Sequence, residues 1–171
     1  EIDLRKNNLV GEIPESIKNL SGLKVLYLGN IEQAGLSVAG RSPSSSVGGG
    51  SGSDDAGNIP AGLAGAGDNQ LKKETLDRLG SLLNLEEVDL AASELRGPIP
   101  EWLEFLPKLK GLNLTRNKLT GQIPEWLKDR KSLESLVLGE NELTGTIPIW
   151  LADLPKLKSL GLWGNKLEDK E

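Results

Sequence analysis

The chain has 171 residues with a formal net charge of −5, and it contains no histidine and no cysteine. This composition excludes disulfides, thiolate or imidazole metal sites, and catalytic triads that need histidine. The negative charge argues against nucleic acid or an anionic membrane as the main partner. No apolar run approaches the roughly 18 residues of a membrane span. Methionine is also absent, so we expect a piece of a longer or processed polypeptide.

The first 22 residues follow a leucine-rich pattern that recurs later in the chain. Alternating apolar residues predict a short strand with one buried face. An asparagine then predicts a turn, and a Gly-x-Ile-Pro sequence predicts the start of a short helical turn. The residues at these positions are Ile2, Leu4, Asn7, Leu9, Gly11, Ile13, Pro14, Ile17 and Leu20.

The second repeat is interrupted. Residues 23–28 predict a strand with three inward leucines, but Ile31 stands where an asparagine is expected. The next regular repeat starts at Leu85, which is 38 residues later than one 24-residue period allows. The intervening sequence is rich in glycine and serine, so we predict an inserted loop over about residues 29–70. Within it, residues 57–60 (Gly-Asn-Ile-Pro) repeat the turn sequence of the first unit.

Leucines at helical spacing predict a helix over about residues 71–83, after the insertion. The residues with this spacing are Leu71, Leu76, Leu79, Leu82 and Leu83. We expect Asp68 or Asn69 to cap this helix, and we interpret residues 23–84 as one repeat split by an insertion. Residues 36–56 carry no strand pattern, so we expect them to be dispensable for folding.

Three regular 24-residue repeats and the start of another follow, beginning at Leu85, Leu109, Leu133 and Leu157. They share the pattern L-x-x-L-x-L-x-x-N-x-L-x-G-x-I-P-x-x-L. No repeat can bury its leucines alone, so neighbouring repeats must stack. Alternating charges at the position after the first leucine predict ion pairs between neighbouring strands. These residues are Lys24, Glu86, Lys110, Glu134 and Lys158.

The repeat pattern resembles the leucine-rich repeat family, in its plant-type subclass with the G-x-I-P turn. The resemblance covers about two thirds of the chain. It implies one α/β solenoid over residues 1–171, with a parallel β-sheet on the concave face and short helices or turns on the convex face. The pattern is similar to ectodomains of receptor-like proteins and kinases. It therefore implies the ligand- or protein-binding part of a larger receptor-like or secreted inhibitor-like protein.

In this family the concave face usually binds the ligand. Here most exposed strand positions on that face are small, and the aromatic residues Tyr27 and Trp163 lie near opposite ends. They predict two anchors that flank a groove, although scattered surface aromatics without a ligand are the simpler alternative. The candidate binding residues on this face are Tyr27, Asp89, Asn113, Arg116, Val137, Glu140 and Trp163.

Three tryptophans that recur every 24 residues predict a ladder of indoles on the convex face. The residues are Trp102, Trp126 and Trp150. One interpretation is a platform that stacks a sugar or a partner protein. The other is that each indole packs over the Ile-Pro turn and adds apolar burial, since the large body of tryptophan usually serves packing. The sequence alone leaves both interpretations open.

Asn19 and Asn113 each begin an Asn-Leu-Ser/Thr sequon, which is the acceptor sequence for N-glycosylation. With the resemblance, the sequons favour an extracellular or cell-surface location, while assembly in the cytoplasm or an organelle stays open. The expected partners are a protein or peptide ligand and a co-receptor or assembly neighbour. We expect no nucleic acid, no direct membrane insertion of this segment, no cofactor and no metal.

Two other classes of function fit the same sequence. One is a structural subunit that docks through the solenoid ends or the tryptophan ladder. The other is the non-catalytic region of a larger enzyme such as a receptor kinase. We expect no catalysis by this chain, because paired-carboxylate and phosphate-loop signatures are missing as well. Both ends of the solenoid should expose apolar side chains, which predicts a marginal or self-associating isolated chain.

Overall fold

The computed structural model describes residues 1–7, 9–30 and 69–168. Short parallel strands alternate there with single helical turns. The strands in chain order are β1 Ile2–Asp3, β2 Val10–Gly11, β3 Val25–Tyr27, β4 Gln70–Leu71, β5 Glu87–Asp89, β6 Arg96–Gly97, β7 Gly111–Asn113, β8 Lys118–Gly121, β9 Ser135–Val137, β10 Glu142–Thr146, β11 Ser159–Gly161 and β12 Lys166–Glu168.

One parallel sheet forms the inner, concave side, with six strands in the order β1-β3-β5-β7-β9-β11. Neighbouring strands pair 24 residues apart, as Leu112 opposite Leu136 shows. Strand β3 pairs directly with β5, which places Leu26 opposite Val88. The strand before the interruption is therefore adjacent to the first strand after it. The predicted α/β leucine-rich-repeat solenoid with a parallel concave sheet is confirmed.

A second set of strands follows the asparagine turns, and the sequence analysis did not predict it. These outer strands form a four-stranded parallel sheet in the order β12-β10-β8-β6 and a separate pair β2-β4. In each regular repeat the strand leads into the glycine of the Gly-x-Ile-Pro turn. Gly97, Gly121 and Gly145 adopt φ values of +80°, +79° and +80°, which residues with a Cβ atom resist.

Short helices close the side opposite the inner sheet. The 3₁₀ helices are Glu15–Asn19, Asp77–Ser81, Glu101–Phe105, Glu125–Asp129 and Ile149–Asp153, and the α-helix is Lys73–Leu76. The helix predicted over residues 71–83 is thus one α-helical turn followed by a 3₁₀ turn, with β4 before it. The predicted cap at Asp68 or Asn69 is wrong, because the helix starts after Lys72 without a side-chain cap.

The core is a column of aliphatic side chains enclosed between the inner sheet and the helical turns. The first leucines of three consecutive repeats, Leu85, Leu109 and Leu133, are all fully buried. They belong to one hydrophobic cluster together with Leu23, the equivalent leucine of the second repeat. Burial of these side chains therefore exists only in the stack, as expected for a solenoid.

Buried asparagines join consecutive repeats through their side-chain amides. Asn117 Oδ1 accepts the backbone N–H groups of Ser93 and Leu95, each at 3.0 Å. Its Nδ2 donates to the carbonyl oxygens of Leu90 and Leu114, each at 2.9 Å. Four backbone groups of two repeats would otherwise be buried without partners. One amide therefore satisfies the turns of its own repeat and of the preceding one.

Asn69 makes three of these four contacts in the interrupted repeat. Its Oδ1 accepts the N–H of Leu9 at 3.0 Å, and its Nδ2 donates to the carbonyls of Leu4 and Leu28, each at 2.8 Å. The backbone N–H of Asn69 also donates to Asn30 Oδ1 at 2.8 Å. The residues that flank the segment 31–68 are thus hydrogen-bonded to each other.

Omitting residues 31–68 restores the 24-residue period of the interrupted repeat. Thr75 then occupies the isoleucine position of the turn, and its Oγ1 accepts the backbone N–H of Ile13 at 3.0 Å. The interruption therefore lies between the strand and the asparagine of the second repeat. The sequence analysis did not recognise Asn69 as that asparagine. The turn predicted at residues 57–60 and the dispensable stretch predicted at residues 36–56 lie outside the described residues.

The third repeat carries Ser93 at the asparagine position. Its Oγ donates only to Ala91 O at 3.4 Å, because a serine side chain is too short to bridge two repeats. The next residue, Glu94, adopts a left-handed φ of +57°. In the described part of the chain, the outer sheet is interrupted at this point, between β4 and β6.

We expect Asn117→Ala to lower the free energy of unfolding by ~3 kcal/mol, because it leaves four buried backbone groups unpaired. Asn7→Ala is the matched control, since Asn7 is exposed and its side chain, among the residues that the structure describes, bonds only to Leu4 O and Arg5 O. Its loss should stay below ~1 kcal/mol. Urea unfolding measures both changes. Equal losses would contradict the bridging role of the buried amide.

We also expect a chain in which Asn30 is joined directly to Asn69 to keep the fold and to unfold cooperatively. The contacts of Asn69 reproduce those of a regular repeat, and asparagine tolerates the left-handed conformation that the residue before the asparagine adopts elsewhere, as at Arg116. Circular dichroism and thermal unfolding measure this. Loss of the cooperative transition would show that residues 31–68 are required for folding.

Candidate functional site

The middle of the concave face is less accessible than the sequence predicts. Asp89, Asn113 and Val137 were expected to be exposed there, but only 6%, 1% and 4% of their surfaces are exposed. They lie directly opposite one another on β5, β7 and β9. Same-face side chains of adjacent strands are about 4.8 Å apart, so short ones cover each other. The expectation that these three residues offer contact surface to a ligand is therefore corrected.

Short polar side chains at this strand position have a structural role. In three repeats an Asp or Asn Oδ1 atom accepts the backbone N–H two residues later, as in an Asx turn. The pairs are Asp3 with Arg5 (3.1 Å), Asp89 with Ala91 (2.9 Å) and Asn113 with Thr115 (3.1 Å). The spacing of two residues was available in the sequence, but the analysis treated these side chains only as ligand contacts.

Burial raises the pKa of the Asp89 carboxyl above its ordinary value, against the opposing effect of the Ala91 N–H that it accepts. The nearby side-chain amide of Asn113 also lowers the pKa of Asp89. The distance or angle between the two groups does not meet hydrogen-bond geometry, so the buried Asn113 Nδ2 has no acceptor among the described residues. Gly29 packs against the same carboxyl. A Cβ atom at position 29 would stand 2.6 Å from Asp89 Oδ1, so only glycine fits there.

At the N-terminal end of the concave face, Tyr27 contacts other side chains of this protein. Its hydroxyl donates to Glu87 Oε2 at 2.5 Å, and the Arg5 guanidinium lies 4.6 Å from its ring centroid. Arg5 is held there by an ion pair with Asp3 at 2.6 Å. Burial and the Glu87 carboxylate raise the pKa of Tyr27. Glu87 lies two residues before Asp89, so both side chains are on the same face of strand β5. This spacing could have identified Glu87, but the sequence analysis did not single it out.

At the other end, three predicted binding residues come together around an exposed indole. Trp163 is 52% exposed, and its ring lies against Gly139 and Gly161, where an added Cβ atom would overlap the indole. Its Nε1 donates to Glu140 Oε1 over a long distance of 3.5 Å. Arg116 Nε donates to Glu140 Oε2 at 2.7 Å and lowers the pKa of the Glu140 carboxyl. The two glycines are what allow the indole to lie close to the sheet.

The convex tryptophans serve the core to different degrees. Trp102 is only 3% exposed, and its backbone and Cβ approach Gly80 so closely that a Cβ atom there would be 3.3 Å away. Trp126 and Trp150 are half-buried and pack against the core cluster. The packing interpretation therefore applies fully to Trp102 and in part to Trp126 and Trp150. An outer surface of indoles could involve only Trp126 and Trp150.

The two sequons differ in accessibility. Asn19 is exposed at the end of a 3₁₀ helix, where a glycan has room. The side-chain Nδ2 of Asn113 is buried in the middle of the inner sheet. A glycan attached to that atom is incompatible with this fold, so the glycosylation predicted at Asn113 is corrected. Glycosylation of Asn19 stays a prediction.

Comparison with known proteins agrees with this architecture. Residues 112–167 match a leucine rich repeat family profile, and residues 1–20 match a second leucine rich repeat profile. No curated protein matches the chain. These repeats therefore belong to the leucine-rich repeat class, and the class prediction is confirmed.

Similar solved structures include receptor kinase ectodomains from Arabidopsis thaliana and a plant ice-binding protein, which is 26% identical over 98% of this chain and 42% of that chain, with a TM-score of 0.62. The receptor kinase GASSHO1/SCHENGEN3 ectodomain, in complex with CASPARIAN STRIP INTEGRITY FACTOR 2, is 27% identical over 97% of this chain and 15% of that chain, with a TM-score of 0.68. The BIR3–SERK2 complex is 39% identical over 54% and 50% of the two chains, with a TM-score of 0.52. The receptor kinase HAESA, in complex with the peptide hormone IDA and the co-receptor SERK1, is 25% identical over 96% and 21%, with a TM-score of 0.64.

The chain is a leucine-rich-repeat solenoid that resembles plant receptor ectodomains. It spans from 15% to half of the length of these four solved chains. The resemblance therefore defines its class of fold, while the ligand and the partners of the whole protein are matters of proposal.

We expect Asp89→Asn to raise the free energy of unfolding at pH 7. Asp89 has a raised pKa in the folded state, so its ionised form opposes folding above that pKa, and the penalty disappears as the pH falls below the ordinary value of 3.8. Asparagine keeps the acceptor for Ala91 N–H, as Asn113 does for Thr115. The gain should therefore shrink on acidification.

Asp3→Asn is the control for this prediction. The pKa of Asp3 is lowered by its hydrogen bonds with Arg5. Its ionised form therefore stabilises the fold above the ordinary carboxyl pKa, and that stability is lost as the pH falls. The substitution should be destabilising at pH 7, opposite in sign to the change at Asp89. Denaturant unfolding between pH 3 and pH 8 measures both, and identical pH profiles would contradict the assignment.

Proposed function

We propose that this chain is a binding segment of a receptor-like ectodomain and that its concave face takes a protein or peptide ligand. Support comes from the similar structures, two of which are complexes with CASPARIAN STRIP INTEGRITY FACTOR 2 and with the peptide hormone IDA. The co-receptor SERK1, which is part of the HAESA complex, makes a co-receptor-like ectodomain the second class of partner we propose.

The cluster of Trp163, Arg116 and Glu140 is the observation that carries this proposal. An indole with one face on the sheet and half of its surface exposed offers apolar contact area at low conformational cost. The adjacent guanidinium and carboxylate offer a donor and an acceptor for main-chain or side-chain groups of a ligand. Aromatic and arginine side chains are the commonest energetic centres of protein interfaces.

The remaining predicted concave residues have different parts in this proposal. Tyr27 is turned toward Arg5 and Glu87, so it shapes the far end of the face and its ring is partly covered. Asp89, Asn113 and Val137 form the buried floor. A ligand on this face would therefore contact backbone and small side chains in the middle and the indole at one end.

We propose an extracellular location for this segment. The exposed Asn19 sequon and the resemblance to receptor ectodomains support it. Among the described residues, no helix has the length and apolar character to cross a membrane.

We also propose that the chain itself catalyses no reaction. Leucine-rich repeats are typically binding modules, and the sequence has neither histidine nor cysteine for general-base or nucleophilic chemistry. In the described ranges, no group of three or more acidic residues is arranged to hold a metal ion. A place in the non-catalytic part of a receptor kinase is consistent with this proposal.

Selection of peptides from a random 12-residue phage library on the immobilised chain tests the binding face. We expect Trp163→Ala to weaken the selected peptides about tenfold or more, as for a central interface aromatic, and Arg116→Ala to weaken them less. Phe105→Ala is the control, because Phe105 is 63% exposed but lies on the helical side. Binding should be measured by surface plasmon resonance.

The proposal fails if selected peptides bind both alanine variants of the concave face as well as the parent chain. It also fails if Phe105→Ala removes binding while Trp163→Ala does not, because the helical side would then be the binding surface. Unfolding curves of each variant distinguish a lost contact from a lost fold.

A further inference from the structure

The 3₁₀ helices of the described part of the chain all end at the same position of the repeat. Their last residues are Asn19, Ser81, Phe105, Asp129 and Asp153. Polar and charged residues are expected at a position that faces solvent. Phe105 is the exception, and 63% of its surface is exposed. It follows the repeat of the Asn19 sequon by two units.

The Phe105 ring lies over the preceding repeat. A Cβ atom added at Gly80 would be only 3.6 Å from Phe105 Cδ2, so the ring is close to the backbone of the helix Asp77–Ser81. That helix lies between Phe105 and the helix that ends at Asn19. The ring therefore extends from its own repeat toward the repeat that carries the sequon.

A second exposed apolar side chain lies directly beside the sequon. Leu83, with 54% of its surface exposed, occupies in the second repeat the position that Ser21 occupies in the first. The two turns are joined by a hydrogen bond, because Asn84 Nδ2 donates to Ser21 O at 2.7 Å. Asn19 is thus bordered by Leu83 in the next repeat and by Phe105 in the one after it.

The exposure of Leu83 and Phe105 does not depend on where the described residues end. Their repeats contribute β3 and β5 to the inner sheet, and each of these strands has a neighbour on both sides. One repeat further, the equivalent positions hold Lys131 and Asp129. The exposed apolar pair is therefore placed in the two repeats that follow the Asn19 sequon.

We propose that an N-linked glycan on Asn19 covers this pair, with its first two N-acetylglucosamine residues packed against Leu83 and Phe105. The inference rests on the extracellular location proposed above, because N-glycosylation takes place in secreted chains. Asn19, Leu20 and Ser21 are all exposed, so the sequon has room for the modification and for the sugars.

The chemistry and the reach of the glycan suit this surface. One face of the N-acetylglucosamine ring carries only C–H groups, which pack on the face of an aromatic ring as other apolar groups do. Neighbouring repeats lie about 4.8 Å apart at the inner sheet, a distance comparable with the length of one sugar ring. Because the Phe105 ring extends over the repeat between, the second sugar can reach it while the hydroxyl groups stay in water.

The attachment is tested on the full chain secreted from plant or mammalian cells behind an added signal peptide. We expect mass spectrometry to locate a glycan on Asn19. Ser21→Ala should abolish it, because the variant removes the sequon but keeps Asn19 and the Ser21 carbonyl that Asn84 uses. A secreted chain that carries no sugar on Asn19 would overturn the proposal.

The packing is tested by nuclear magnetic resonance on the glycosylated chain. Phe105 is the only phenylalanine in the sequence, so selective labelling of phenylalanine reports one ring. We expect nuclear Overhauser contacts between its ring protons and those of the two innermost sugars. A glycosylated chain without these contacts would contradict the proposal, and the apolar pair would then be left to a protein partner.

Thermal unfolding provides an independent test of the same contact. The glycosylated chain and its Ser21→Ala variant are compared with and without Phe105→Ala. The glycan should raise the unfolding midpoint by about 2–4 °C in the parent chain and less in the Phe105→Ala background. Ile149→Ala is the matched control, since Ile149 is 72% exposed but lies on a helix far from Asn19 in the stack. An equal effect of the glycan with and without Phe105→Ala would refute the contact.

Peptide binding separates this inference from the proposed function. A glycan packed on the helical side leaves the concave face free, so the selected peptides should bind the glycosylated chain and Ser21→Ala equally. Weaker binding by the glycosylated chain would place the sugars over the concave face and overturn the inference. A packed glycan without any peptide binding would contradict the proposed function alone, and peptide binding by a secreted chain that lacks the glycan would contradict this inference alone.

Discussion

An asparagine side-chain amide links four of the described repeats to the repeat before each of them, through Asn69, Asn117, Asn141 and Asn165, and the other regular features depend on that link. The Asn117 side chain satisfies N–H and carbonyl groups from two repeats, so the turns can be placed against the core without unpaired polar groups. With the turns fixed, neighbouring strands of the inner sheet pair at a constant offset of 24 residues, counted without residues 31–68 across the interruption. The leucine column follows from that constant offset, and so do the predicted ion pairs between alternating charges, such as those of Glu86 with Lys24 and Lys110.

The interrupted repeat shows how strongly this link constrains the fold. Asn69 makes the interrepeat hydrogen bonds of a regular asparagine, although it lies 38 positions later than the period places it. Ser93 shows the converse. Where the amide is missing, the inner sheet stays continuous, but the outer sheet of the described residues is divided next to that repeat. The inner sheet depends on leucine burial and the outer sheet on the amide.

The repeat class, the inner sheet and the buried leucine faces could be predicted from the sequence, because each depends on a periodic pattern. Individual departures from the period could not. Asn69 was assigned to a helix cap because its partners, Leu4 and Leu9, are distant in sequence. Asp89 and Asn113 were assigned to a ligand because burial by neighbouring strands is a property of the stack. Arg116 and Glu140 occupy equivalent positions of adjacent repeats, so the period alone predicts that they are neighbours. The contact of Trp163 with Glu140 was not predicted, because it depends on the glycines at 139 and 161 that let the indole lie on the sheet.

The hydrogen bond between Asn30 and Asn69 has a consequence for how this surface could diversify. Two chain positions that meet at a fixed distance beside the concave face can be connected by segments of many lengths, because closure entropy grows only with the logarithm of length. The residues that flank the segment 31–68 determine the register of the repeats, so the register does not depend on the length or sequence of that segment. This position could therefore accept new recognition sequences, by evolution or by design, while the framework keeps its geometry, as hypervariable loops do on an antibody domain.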